Sequence, residues 1–125
     1  MIVCDYLFMP EDVPKGDELT LLLTETILAH AIPSNMKNLP LAFVLHSDEA
    51  IDDDIELHWE IHSPSKSLGS FGGPMHVKLA PNEQLRSALI VPDFEILEEG
   101  IYTFTLFVDN KKLKDLKIEI RLPRE

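Results

Sequence analysis

The sequence predicts an all-β fold, an immunoglobulin-like antiparallel β-sandwich of about eight strands. Three observations lead there. Apolar and polar residues alternate with period two from Ile55 to Ile61 and from Tyr102 to Leu122, the pattern of strands with one face in a core and one in water. Pro, Gly and Asn/Asp turn signals recur every ten or so residues. No segment carries a strong helical period.

The elements follow in order. "MIVCDYLFM" is rich in β-branched and aromatic residues and ends at Pro10, so it reads as a strand. "EDVPKGDE" is polar and turn-like. "LTLLLTETILAHAI", from Leu19 to Ile32, is expected to be strand because Thr20, Thr24, Thr26 and Ile27 favour it, with a helical turn at its end left open. In "LPLAFVLHS", Leu41, Phe43 and Leu45 share one face and Ala42 and Val44 the other. Apolar residues on both faces predict a central strand. "DEAIDDD" is expected to be a charged loop.

The next strand alternates Ile55, Leu57, Trp59 and Ile61 with Glu56, His58, Glu60 and His62, and Trp59 is expected to plug the core. "SPSKSLGSFGGP" is expected to be a loop, its Gly69, Gly72 and Gly73 serving as turn glycines; they do not link a strand to a helix as a phosphate-cradling loop must. "MHVKLA" reads as a short strand with Met75, Val77 and Leu79 on one face. "QLRSALIVPDF" reads as another, broken by Pro92. "EEGIYTFTLFVDNKKLKDLKIEIRL" is a hairpin. Tyr102, Phe104, Leu106 and Val108 form one core face, Asp109-Asn110 makes the turn, and Leu116, Ile118, Ile120 and Leu122 return.

A chain of 125 residues is read as one domain, residues 1–125, long enough to bury a core without disulfides or metal. With Cys4 as the only cysteine, no internal disulfide forms; that thiol is expected to be a small buried hydrophobe. The start of the chain lacks the features of a signal peptide, and no apolar run approaches the roughly 20 residues that span a bilayer. These features point to a cytoplasmic protein with no membrane partner. Eleven Lys+Arg against 22 Asp+Glu give a net charge of −11, which repels nucleic acid. Lys111, Lys112, Lys114, Lys117, Arg121 and Arg124 cluster at the end, where they are expected to be solvent-facing positions of the last hairpin.

The chain resembles a family of small bacterial proteins of unassigned activity that are expected to be immunoglobulin-like sandwiches. The matching stretches, in order, are "VCDYLFM", "GDELTLLLT", "IPSNMKNLPLAFVL" and "EEGIYTFTLFVDNKKL". Glu99 stands where the family favours Pro, and Asn110 where it favours Gly. The resemblance implies a fold and carries no site residues over.

Candidate chemistry is sparse. His58 and His62 project from one face of a strand, about 7 Å apart, and His76 is a third candidate ligand for an open zinc site; His46 and His30 are weaker ones. The alternative is that Glu60 and these histidines form an ordinary wet strand face, with no cofactor. Ser63 and Lys66 match a Ser-x-x-Lys spacing without the companion motifs that acyl-enzymes carry. Asp48, Glu49, Asp52, Asp53, Asp54 and Glu56 crowd together but lack the central glycine of a calcium loop. The expected function is therefore a non-enzymatic module that binds another protein, or itself, through a sheet face or edge. A metal-dependent protein using His58, His62 and His76, and an acidic decoy for a nucleic-acid-binding enzyme, are the alternatives.

Overall fold

The computed structural model describes residues 1–10, 26–29, 31–91 and 93–123. His30, Arg124 and residues 19–25 of the run from Leu19 to Ile32 expected to be strand lie outside the described residues. The described chain is all-β, with ten strands in three sheets where about eight in two were expected.

The strands are β1 (Ile2–Phe8), β2 (Thr26–Leu28), β3 (Ser34–Met36), β4 (Leu39–Ser47) and β5 (Ile51–His62), then β6 (Ser67–Leu79), β7 (Leu85–Val91), β8 (Phe94–Ile96), β9 (Gly100–Val108) and β10 (Lys111–Arg121). One sheet has three strands in the order β1-β4-β7; a second has five, β2-β10-β9-β5-β6; the short β3 and β8 pair by themselves. The pairings are antiparallel except that β2 runs parallel to β10, with Ile27 opposite Ile120. The sheets are therefore not wholly antiparallel.

The central place expected for β4 holds. Leu41, Phe43 and Leu45 are 0–2% exposed on its inner face, while Ala42 and Val44 are buried on the other. From the facing sheet come Ile55, Leu57, Trp59 and Ile61 of β5, Tyr102, Phe104 and Leu106 of β9, and Ile118 and Ile120 of β10, all in the same buried cluster. Trp59 joins the two sheets: its ring meets Phe43 of β4 edge-on at 5.8 Å and stacks on Phe71 of β6 at 6.3 Å. Aromatic pairs at such spacings add attraction beyond their buried area. Cys4 is buried, and burial pushes its thiol above the ordinary pKa.

The terminal hairpin turns where the sequence predicts. Asp109 and Asn110 both take positive φ, 50° and 67°, the two left-handed residues a tight hairpin turn requires. One detail differs: Leu122, expected on the core face, lies past the end of β10 and is exposed.

The largest departure is β6. The stretch expected to be a loop followed by a short strand is instead thirteen continuous strand residues, paired antiparallel with β5 from Ile51↔Leu79 to His62↔Ser67. The strand opposite also begins early, so Asp52, Asp53 and Asp54 lie in β5 and not in a loop. Glycine and proline lower strand propensity, but an edge strand tolerates both, because only one side of its backbone must pair. Gly72 passes so close to β5 that an added Cβ would stand 2.1 Å from the carbonyl oxygen of Leu57. Its φ of 157° is also one that side-chain-bearing residues rarely adopt.

Candidate functional site

One edge strand of each large sheet, without a further strand partner among the described residues, borders the same groove. β6 ends the five-stranded sheet and β7 ends the three-stranded sheet. The chain passes from one to the other through a turn at residues 80–84, held by the Asn82 N–H donating to the Ser47 carbonyl at 2.7 Å. Beyond that turn the two edges are separated by a groove of about 450 Å³. Phe71, Gly72, Gly73, Pro74 and Met75 of β6 form one wall; Ser87, Leu89 and Ile90 of β7 form the other; Phe43, Leu57 and Trp59 line its base.

Local sequence explains the opening. Gly73 occupies an inward position of β6, and an added Cβ there would meet nothing within 4 Å. Across from it Ser87 is the one small polar residue between the inward Leu85 and Leu89 of β7, and all three are only half-buried. The two walls thus carry a glycine and a serine at inward positions whose neighbours along each strand are bulkier. The base is firm, since Trp59 is 1% exposed. Its indole N–H is buried without a hydrogen-bond partner among the described residues, a cost of roughly 1–3 kcal/mol that the aromatic contacts offset.

Charge sets this side apart. β6 and β7 contain no Asp or Glu, although the chain has 22. They carry His76, Lys78 and Arg86, and neither Lys78 nor Arg86 is in an ion pair among the described residues; Arg86 reaches only the Gln84 amide oxygen at 3.5 Å.

The structure does not gather the three histidines expected to share a metal. His58 and His62 do share the outer face of β5, where His58 Nε2 is 3.6 Å from a Glu60 carboxylate oxygen and its ring lies 5.7 Å from Phe107. His76 pairs in register with Asp54, while Gly72 stands opposite His58. Four strand positions, about 13 Å, therefore separate His76 from His58. Its ring is clasped by carboxylates on both sides, Nδ1 to Asp54 at 2.7 Å and Nε2 to Asp52 at 2.9 Å. Hydrogen bonds to Asp54, then Asp52, raise the His76 pKa above the ordinary imidazole value. Among the described residues no group of three or more His, Cys, Asp or Glu is placed to hold a metal ion. His46 is elsewhere again, 2.7 Å from Asp5 across β1 and β4.

Ser63 and Lys66 are joined through the backbone. Ser63 Oγ accepts from the Lys66 N–H at 3.1 Å and lies 3.3 Å from a Glu98 carboxylate oxygen, to which Ser65 also donates. That is the bonding of a tight turn. The acidic run is likewise dispersed: Asp48 meets the N-terminal ammonium at 3.3 Å, which lowers its pKa, Asp52 and Asp54 hold His76, and Asp53 caps the N–H of Asp54.

The groove was not visible as a motif. Its one signal is the Gly-Gly-Pro sequence beside an apolar Phe71, read along the chain as loop composition. Only the pairing with β5 turns those residues into a wall.

No family model and no curated protein matches the chain. Solved structures with a similar fold do exist. The alkylpurine DNA glycosylase AlkC of Pseudomonas fluorescens, bound to DNA containing an abasic-site analogue, superposes on 96% of this chain with a TM-score of 0.58 at 12% identity. The β-glucosidase of Listeria innocua in complex with glucose covers 97% with a TM-score of 0.55 at 7% identity. The chain spans only 30% of the first and 16% of the second. At such identities the likeness is one of fold alone. Among the described residues, no helix is long and apolar enough to cross a membrane.

Proposed function

We propose that this chain is an immunoglobulin-like β-sandwich that works as a non-enzymatic protein-interaction module, engaging its partner at the β6/β7 side. The seven long strands support the architecture. Taken in chain order, the first, second and fifth form one sheet, and the seventh, sixth, third and fourth lie side by side in the other. Immunoglobulin-like domains divide their strands in this way, with an added strand extending the second sheet. Tyr102 adds a local mark of such domains: it sits near the start of β9, fully buried, and its hydroxyl donates to the Glu98 carbonyl four residues upstream at 2.7 Å.

The observation that carries the functional reading is the apolar groove between two sheet edges that are free among the described residues. Unpaired strand edges are templates for another chain, and proteins ordinarily blunt them with charge, Pro or a covering element. Here Gly and Pro interrupt β6, while β7 between Leu85 and Val91 has neither. Exposed Ile90 sits on the rim, 48% accessible. A groove of this size lies within the range of about 300–1,000 Å³ seen for binding sites.

Photo-crosslinking in the native cell tests this reading. A photoreactive amino acid at Ile90 is expected to form a discrete protein adduct, and the same group at exposed Leu28, on the opposite side, is expected to form none. Filling the groove with Gly73→Leu should abolish the Ile90 adduct. Absence of any adduct at Ile90, or equal adducts at both positions, overturns it.

A further inference from the structure

We infer that the partner supplies an extended segment that adds to the free edge of β7 as a fourth strand of the three-stranded sheet, with apolar side chains turned into the groove and acidic ones turned outward beside Arg86. This rests on the interaction reading above and names the chemistry of the occupant.

Three features select it. The first is the backbone. A strand edge offers alternating N–H and C=O groups that only another extended backbone satisfies along its length. β7 offers seven residues without Pro or Gly, whereas β6, across the groove, is broken by Gly69, Gly72, Gly73 and Pro74. Addition to β7 is therefore favoured over addition to β6.

The second is depth. Leu85, Ser87 and Leu89 point inward yet remain half-buried, and among the described residues no strand lies beyond them. A neighbouring strand would send alternate side chains to the same depth, against Phe71 and Met75 on the far wall. Immunoglobulin sandwiches of the constant type place a strand at this position, next to the fifth of this series.

The third is charge. Arg86 stands on the outer face of β7 without an ion pair among the described residues, on a strand that has no Asp or Glu; Lys78 of β6 is also in no ion pair there, although Asp52 stands opposite it in register. A carboxylate directly across from Arg86 would form a cross-strand pair. A second copy of this chain fits worse. Antiparallel pairing of β7 with itself over its full length would set each Arg86 opposite Ile90, leaving it without a carboxylate, and would join two bodies of charge −11.

The test uses the full chain labelled with nitrogen-15 and a capped peptide of seven residues, the length of β7, in which valine alternates with glutamate and threonine. Expected are saturable shifts along β7, slowed amide exchange at every second β7 residue, and affinity reduced about tenfold or more by Arg86→Glu. Gly73→Leu, at a position with free space, should block binding while leaving the spectrum dispersed. Failure of the peptide to saturate at millimolar concentration overturns strand addition. So does undiminished binding when proline replaces the central valine, or shifts confined to β6. Protection of β7 amides in the free chain that grows with protein concentration assigns the edge to a second copy and likewise overturns it. A crosslink at Ile90 that persists after any of these results keeps the interaction reading and removes only the strand.

Discussion

On one side of the molecule β1 runs beside β10, and Lys114 of β10 reaches across to donate to the Asp5 carbonyl at 3.1 Å. The short β2 pairs along the outer edge of β10. On the other side β6 and β7 share only the turn at residues 80–84, and a groove of about 450 Å³ lies between them. Both sides close over the same buried cluster, and both are edges of the same two sheets. What separates them is side-chain bulk and charge at the edge strands. The closed side uses a long lysine and an extra strand to cover exposed backbone; the open side has Gly73 and Ser87 where a closed layer needs volume. A sandwich therefore need not treat its two edges alike, and the edge left uncovered is where binding is to be sought.

The largest effect tests whether the groove has a packed base. Trp59→Ala removes the ring that links Phe43 on one sheet to Phe71 on the other, and an unfolding free energy lower by about 3–5 kcal/mol is expected in urea titrations. A loss below about 1 kcal/mol would mean that Trp59 does not join the sheets and that the two sides differ more deeply than their edges.

A paired substitution sharpens the view of β6. Gly72→Ala drives a methyl into the Leu57 carbonyl at a φ of 157° and is expected to cost about 1–3 kcal/mol. Gly73→Ala adds the same methyl to open space and should stay within about 1 kcal/mol. Thermal unfolding of the two proteins distinguishes them; equal losses would show that β6 does not hold this register on β5.

The smallest effect lies at the edge of the same strand pair. His76 has its pKa raised first by Asp54 and then by Asp52. Its bonds to them stabilise β6 against β5 fully at pH below the unfolded imidazole value of about 6.5, and that contribution is lost as pH rises through the folded value. In an NMR titration, Asp54→Asn should move the His76 midpoint downward. An unchanged His76 midpoint would show that the clasp is absent in solution.

Much of the core was legible in the sequence. The alternation from Ile55 to Ile61 placed Trp59 inside, and the run from Tyr102 to Val108 placed four buried residues on one face of β9. Period two is a local property, and a strand with one wet face displays it directly. Leu122 shows the limit of that logic: the period continues through it, but β10 ends at Arg121 and the side chain finds no opposite sheet to cover it. The glycines of β6 mark a second limit. Their composition is that of a loop, and long-range pairing with β5 overrides it. The histidines mark a third, because register, which no single strand reveals, put Asp54 opposite His76 and left His58 facing Gly72.

By itself the sequence determined most of the residues that enter the core, where the last hairpin turns and how acidic the chain is, since each follows from composition or from neighbours a few positions apart. Only the tertiary structure decided that β6 is one long strand, that β2 lies parallel to β10, and that two edges uncovered among the described residues face each other across a groove. Those outcomes depend on strand pairings between residues tens of positions apart, and the energy that selects among such pairings comes from burial of both sheets together.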